Sequence, residues 1–217
     1  MDYYRRIILV CGGFMITLLS KAQHADFQWW PLMNISQKGN HYKLFTEEQL
    51  RLRDKASELY IVYSDIGIHY LAGQSFAFGP VYRPFLSIEG TDYKWNHYLL
   101  LDAEVKKNMS SFLFSYRMRY QWKMPFHPAE EMSHYSRNKF EIMYTHGKCK
   151  PYASVEIFVP LFKPGSYFAE IIRNTIGFTI PLSSHHSIRP LVMYIKDKAA
   201  SDYQDIFILG GGYYLTL

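Results

Sequence analysis

The sequence predicts an all-β chain, an antiparallel up-and-down transmembrane β-barrel of about 10–12 strands. Three observations point there. Ser111 to Lys123 alternates without a break, with Phe112, Phe114, Tyr116, Met118, Tyr120 and Trp122 on one face. Ser111, Leu113, Ser115, Arg117, Arg119, Gln121 and Lys123 fall on the other. Successive strand side chains point to opposite faces, so the segment has an apolar, aromatic-ended surface backed by a cationic one. At the start, Arg5 and Arg6 precede an apolar run from Ile7 to Leu19, followed by Ser20, Lys21 and Ala22. At the end, Tyr213, Leu215 and Leu217 alternate to the last residue, a pattern that resembles the signal read by the barrel assembly machinery, with Leu in place of the usual terminal aromatic.

The opening segment reads as a cleaved signal peptide over residues 1–22, with Ser20 and Ala22 at the positions a signal peptidase reads. The apolar run is shorter than the roughly 20 residues a helix needs to span a bilayer. Cys11 is a poor lipidation site because bulky Val10 precedes it. The barrel domain is then 23–217, a single domain without linker, low-complexity tract or repeat beyond the alternation itself.

Composition narrows the class. Aromatic residues make up 18% of the chain, with 19 Tyr and 15 Phe, while the mean hydropathy lies slightly below zero. A bundle of membrane helices cannot combine those values; a barrel can, since each strand shows lipid only every second residue. The net charge is +5, and removal of Asp2, Arg5, Arg6 and Lys21 leaves +3. The basic residues are spread through the strands, which argues against a nucleic-acid partner. Only Cys149 remains after processing, so neither an intramolecular disulfide nor a Cys-based zinc site is expected.

The strands follow in order. Asp26–Ser36 sets Phe27, Trp29, Met33 and Ile35 against Gln28, Asn34 and Ser36, and Lys38-Gly39-Asn40 turns the chain. Tyr42–Arg53 sets Tyr42, Leu44, Leu50 and Leu52 against Lys43, Glu47, Gln49, Arg51 and Arg53, with Glu48 misplaced on the apolar side. Glu47–Tyr60 has no Gly or Pro and also suits a helix; its two-residue period favours strand. Tyr60 to Tyr70 opposes Tyr63, Asp65, Gly67 and His69 to an apolar face, and Ala72-Gly73-Gln74 leads into Phe76, Phe78 and Tyr82. Tyr93 to Lys106 places Asp102 and Glu104 opposite Leu99, Leu101 and Val105, and Lys107-Asn108 turns into the opening strand. After a loop with Pro125 and Pro128 come strands around Phe140–Thr145, Ala153–Val159, Ile172–Ile180 and Ile188–Tyr194, with Pro164-Gly165 as a break, and a last strand from about Tyr203 to Leu217. Eleven strands result. Barrels of this kind generally have an even number, so either a plug segment or a missed strand is expected, the latter between Arg83 and Asp92.

The inward face carries Glu47, Arg51, Arg53, Asp65, Asp102, Glu104, Arg117, Arg119, Glu141, Glu156, Arg173 and Arg189. These charges either pair across the interior and fill it or line a solute pathway. Few strands leave little open cross-section, which favours filling. Trp29, Trp30, Trp95 and Trp122 suit an interfacial girdle. His134-Tyr135-Ser136 matches the His-x-Ser spacing of outer-membrane lipid hydrolases, with Asn138 or Glu141 to orient the imidazole; a polar loop explains the same residues. His185-His186 lacks a third ligand nearby in sequence. No metal and no cofactor is implied.

Asp26-Phe27-Gln28-Trp29-Trp30-Pro31, Glu47-Glu48-Gln49-Leu50-Arg51, Tyr116-Arg117-Met118-Arg119 and Glu156 together resemble an uncharacterised family of exported bacterial barrel proteins, known only as a domain of unknown function. The resemblance covers nearly the whole mature chain and implies fold and location, with no catalytic residues to carry over. The expected protein is a small outer-membrane barrel of a Gram-negative bacterium, porin-like or structural, with membrane lipids as its surroundings and passage limited to small solutes. The alternatives are the lipid hydrolase and a binding module using the loops at Phe126–Ser136 and Arg83–Lys94.

Overall fold

The structure, a computed structural model, describes residues 27–126, 132–163, 169–198 and 204–217. The segment read as a signal peptide and the Pro164-Gly165 break lie outside them. Eleven strands occupy almost all of the described chain: β1 (Phe27–Lys38), β2 (Tyr42–Arg53), β3 (Glu58–Ala72), β4 (Phe76–Glu89), β5 (Asp92–Met109), β6 (Phe112–Pro125), β7 (Ser133–Tyr144), β8 (Lys150–Leu161), β9 (Ile171–Pro181), β10 (His186–Asp197) and β11 (Gln204–Thr216). Each pairs antiparallel with its sequence neighbours, and β1 closes the barrel by pairing parallel with β11, Phe27 opposite Phe207 through Ser36 opposite Thr216.

The count of eleven therefore stands, and the expected missing strand is absent among the described residues. Residues 83–89 continue β4, and Gly90, with φ +62°, turns directly into β5. Closure by a parallel pair is what accommodates the odd number. The helical alternative for residues 47–60 also gives way. Asp54, Lys55 and Ala56 take left-handed φ values of 48°, 57° and 66°, and the Ser57 hydroxyl donates to the Asp54 carbonyl at 2.6 Å. That turn reverses the chain between β2 and β3.

The barrel is built inside out relative to a soluble protein. Among the described residues fifteen polar or charged side chains are buried, against eight hydrophobic ones. Meanwhile Leu44, Leu50, Ile66, Leu101, Phe140 and Val155 stand exposed on the outer face. Aromatic residues gather toward both strand ends of that face. At the end formed by the turns after β1, β3, β5, β7 and β9, Tyr42, Tyr70 and Phe78 form an edge-on chain, and Phe112 meets Tyr144. At the other end, His134 stacks on Tyr120 and Trp122. Trp30 departs from the expected girdle. It faces inward at 6% exposure because it shares parity with Gln28 and Asn34, not with Trp29.

Two anomalies, one on each face, have local causes. Glu48, the misfit of β2, accepts from Thr46 Oγ1 at 3.0 Å and from the Ser64 hydroxyl on β3, so a small polar cluster surrounds it. On the inner face, Gly79 lies where β3 and β4 press together: a Cβ there would sit 2.0 Å from the Ile68 carbonyl oxygen and 2.9 Å from the His69 Cα. Backbone cannot yield as a flexible side chain would. Gly79→Ala is expected to destabilise the barrel by about 1–3 kcal/mol, read as a lower urea midpoint in detergent micelles.

Candidate functional site

The interior is organised by an ionic layer drawn from consecutive strands. Arg83 on β4 grips Asp65 on β3 with both arms of its fork, Nε to Oδ1 at 2.5 Å and Nη2 to Oδ2 at 2.7 Å. Arg119 on β6 grips Asp102 on β5 in the same way, at 2.6 and 2.7 Å, and its Nη1 reaches Asp65 at 3.2 Å. His69 Nε2 stands 3.5 Å from Asp102. The four charged groups thus form one chain of bidentate pairs, which is the geometry that compensates charge away from water. Their exposures run from 1% for Asp65 to 5% for Arg83, so side chains fill the barrel at this level.

Next to this balanced layer stands a cationic wall. Arg117 and Arg137 each donate to Glu156 Oε1 at 3.0 Å, and Arg173 lies 3.6 Å from Oε2. Lys139 and Arg189 converge on Glu141 at 2.9 and 3.0 Å. Five cations on β6, β7, β9 and β10 thus face two carboxylates on β7 and β8. Ring faces hold the guanidinium planes: Phe158 lies under Arg137 at 4.5 Å and Arg173 at 4.4 Å, and Tyr152 under Arg189 at 4.0 Å. Such contacts strengthen when desolvated.

The remaining sector holds a small apolar cluster, with the Trp30 indole donating to buried Gln28 at 3.0 Å. Trp30, Ile195 and Ile208 are buried together, with Ile171, Met193 and Ile206 against them. Toward the turn end the interior opens into a cavity of about 400 Å³ whose walls include Lys43, Glu47, Glu104, Lys106, Arg117 and Arg119. A larger hollow of about 790 Å³ lies on the outer face among Phe114, Phe140, Val155, Ile176 and Phe207 and shares the apolar character of that face. The polar chemistry therefore concentrates inside.

The sequence profile of a protein family of unknown function, DUF2490, matches residues 27–205, from the first residue of β1 into β11. The chain belongs to the DUF2490 family. Among solved structures, this DUF2490 chain is similar to the NanC porin in a rhombohedral crystal form, at 9% identity and a TM-score of 0.52, over 88% of this chain and 99% of that one. At that identity the likeness concerns the fold, a barrel of porin type. No curated protein matches the sequence.

Most of the charges predicted to face inward are brought together in this DUF2490 barrel. Asp65, Asp102, Arg117, Arg119, Glu141, Glu156, Arg173 and Arg189 are members of the layer and wall just described. The Arg51 guanidinium lies over the Trp30 ring, 3.9 Å from its centroid, and donates to Gln49 at 3.0 Å. Glu104 pairs with Lys106 at 3.0 Å in the cavity. Arg53 stands apart, paired with Glu58 at 2.8 Å beside the 54–57 turn and exposed to 37%.

Arg83, Arg137 and Lys139 do comparable work without having been singled out. Arg83 follows Pro80 and precedes Pro84, which reads as the end of a strand, yet its parity with Gly79 and Val81 continues β4. Arg137 falls in what reads as a loop, yet it alternates with Tyr135 and Lys139 on the inner face of β7. Unbroken parity across a proline or a loop boundary was the signal that could have found both.

The strand separates Glu141 from the His-x-Ser residues. His134, Ser136 and Asn138 share the outer face of β7, while Glu141 points inward to Lys139 and Arg189 and so cannot orient the imidazole. Tyr120 OH bonds His134 Nδ1 at 2.7 Å. Asn138 Nδ2 donates to Ser136 Oγ at 3.1 Å, and Tyr116 OH donates to Asn138 Oδ1 at 2.7 Å. None of these bonds joins the nucleophile to its base. Among the described residues no cluster of three or more His, Cys, Asp or Glu could hold a metal ion.

Proposed function

We infer that this chain is an outer-membrane barrel of porin type, exported through the cleaved 1–22 signal and inserted by the barrel assembly machinery of a Gram-negative bacterium. Its outer face meets membrane lipid. Its interior is narrow, filled at mid-height, and prefers anions among the small solutes that pass when the ionic layer yields. The apolar outer face with aromatic residues toward both ends supports the membrane location. The observation that carries the anion preference is the cationic wall, five cations against two carboxylates. A surplus of fixed positive charge in a low-dielectric passage raises the local concentration of anions and excludes cations.

Planar-bilayer recording tests the reading. The wild-type protein is expected to give a small conductance with a reversal potential displaced toward anions in a salt gradient. Arg117→Gln spares the Asp65–Arg119–Asp102 chain and is expected to move that potential toward cations. Arg119→Gln should move it too, with the added effect of loosening the ionic layer. Silence from wild type and both variants would leave a structural barrel without passage. A conductance with an unchanged potential would remove these arginines from the path.

A further inference from the structure

The cationic wall contains donors that no side chain accepts. Arg117, Arg137 and Arg173 share one carboxylate, Glu156, and the buried Nε–H of each has no hydrogen-bond partner among the described residues; the same holds for Arg189. A guanidinium presents five N–H donors and no acceptor, so one carboxylate cannot satisfy three of them. Arg137 is 7% exposed and Glu156 equally so. Crowding three positive groups, two of them largely buried, around one negative group carries a cost that a second anion would relieve.

The cluster is also shaped for such an anion. The Phe158 ring lies 4.5 Å from the Arg137 guanidinium and 4.4 Å from that of Arg173, which holds the two cations side by side. A planar fork of this kind fits the paired oxygens of a carboxylate or a phosphate and is poorly matched to a monatomic ion. Arg117 belongs both to the cluster and to the wall of the 400 Å³ cavity at the turn end, where Lys43 and Lys106 also stand. Glu47, Asp65, Asp102 and Glu104 line the same cavity, so its charge is mixed, and Arg117 is the member of the cluster that reaches it.

We propose that the interior binds a small oxyanion, a carboxylate- or phosphate-bearing solute, on Arg117, Arg137 and Arg173. Glu156 orients the three guanidiniums and competes with the bound anion, which keeps binding reversible. This deepens the porin reading by naming the solute class, and it rests on that reading for its role. Binding itself does not require conduction.

The test is calorimetric titration of the folded protein in zwitterionic micelles with inorganic phosphate, with acetate, with glycerol phosphate as a soluble lipid-headgroup mimic, and with chloride at matched ionic strength. Phosphate and acetate are expected to bind saturably at one site, above chloride. Glycerol phosphate binding far more tightly than phosphate would assign the site to a lipid headgroup and overturn the solute assignment. Arg137→Gln should weaken phosphate binding about tenfold or more, the scale of one lost charge-assisted hydrogen bond. Glu156→Gln should tighten it by a similar factor, a sign that general damage to the barrel would not produce. Arg117→Gln removes the more exposed of the three arginines and leaves Arg137 and Arg173 on Glu156, and it should also weaken binding. Equal responses to phosphate and chloride, or equal affinity in wild type and all three variants, would refute the site. Variant-sensitive binding in a silent bilayer would retain the site and remove the passage; conductance without such binding would do the reverse.

Discussion

Asn in place of Asp102 is expected to lower the stability of the barrel by about 3–5 kcal/mol, the usual cost of stripping the partner from a buried charge. Asn keeps the shape of the carboxylate, so the loss is electrostatic. Arg119 would keep one bond to the Asn carbonyl oxygen and its 3.2 Å bond to Asp65, in place of a charged fork closed at 2.6 and 2.7 Å, and the amide NH2 would face it as a second donor. Asp65 is already held by Arg83 and cannot neutralise both cations. At 2% exposure for Asp102 and 4% for Arg119, bulk water offers no substitute. Urea unfolding in micelles, followed by the shift in gel mobility on heating, measures the effect. The double variant Asp102→Asn with Arg119→Gln should recover part of the loss, because it removes the stranded cation along with its partner. Glu58→Gln, which cuts an exposed pair at the 54–57 turn, serves as the control and should leave the midpoint in place.

Leu101→Arg is the second large effect. Leu101 lies near the middle of β5, points outward and is 55% exposed. In a water-soluble barrel, a cation at an exposed position would be neutral or would improve solubility. In a bilayer it places a charge near the midplane, at a cost of about 2–4 kcal/mol. Folding into lipid vesicles at a series of urea concentrations distinguishes the two. A midpoint unchanged from wild type would contradict a lipid-facing β5. Leu101→Ala controls for loss of side-chain contact.

The sequence discloses this fold to the extent that local alternation encodes it. β2 begins and ends where its period does, and the inward set Tyr63, Asp65, Gly67 and His69 of β3 is placed by parity alone. Such information is local because adjacent side chains on a strand must diverge. Features that depend on a neighbouring strand are hidden. Glu48 reads as an error until Ser64 is seen beside it on β3. Arg83 reads as a loop residue until Asp65 receives its fork. Trp30 reads as an interfacial anchor until Arg51 is found lying on its ring. The manner of closure is hidden more deeply, because it depends on strand number and stagger summed around the whole barrel. For the same reason, inward charge was visible in the sequence but its division into a balanced layer and an unbalanced wall was not.

The parallel pairing of β1 with β11 has a consequence for the order in which the molecule assembles. Every other pair joins neighbours along the chain and can form as a hairpin, whereas Phe27 meets Phe207 only after the whole intervening chain is in place. Contacts between remote residues carry the largest loop-closure entropy and form late. Parallel ladders are also slightly weaker per residue than antiparallel ones. At mid-seam, Gly211 sits between Pro31 on one side and Pro190 on the other, so two of the facing residues have no N–H to donate. The chain should therefore exist first as a curled sheet with two free margins and become a barrel in one last step. Its slowest event, and the first to reverse under stress, is the meeting of those margins.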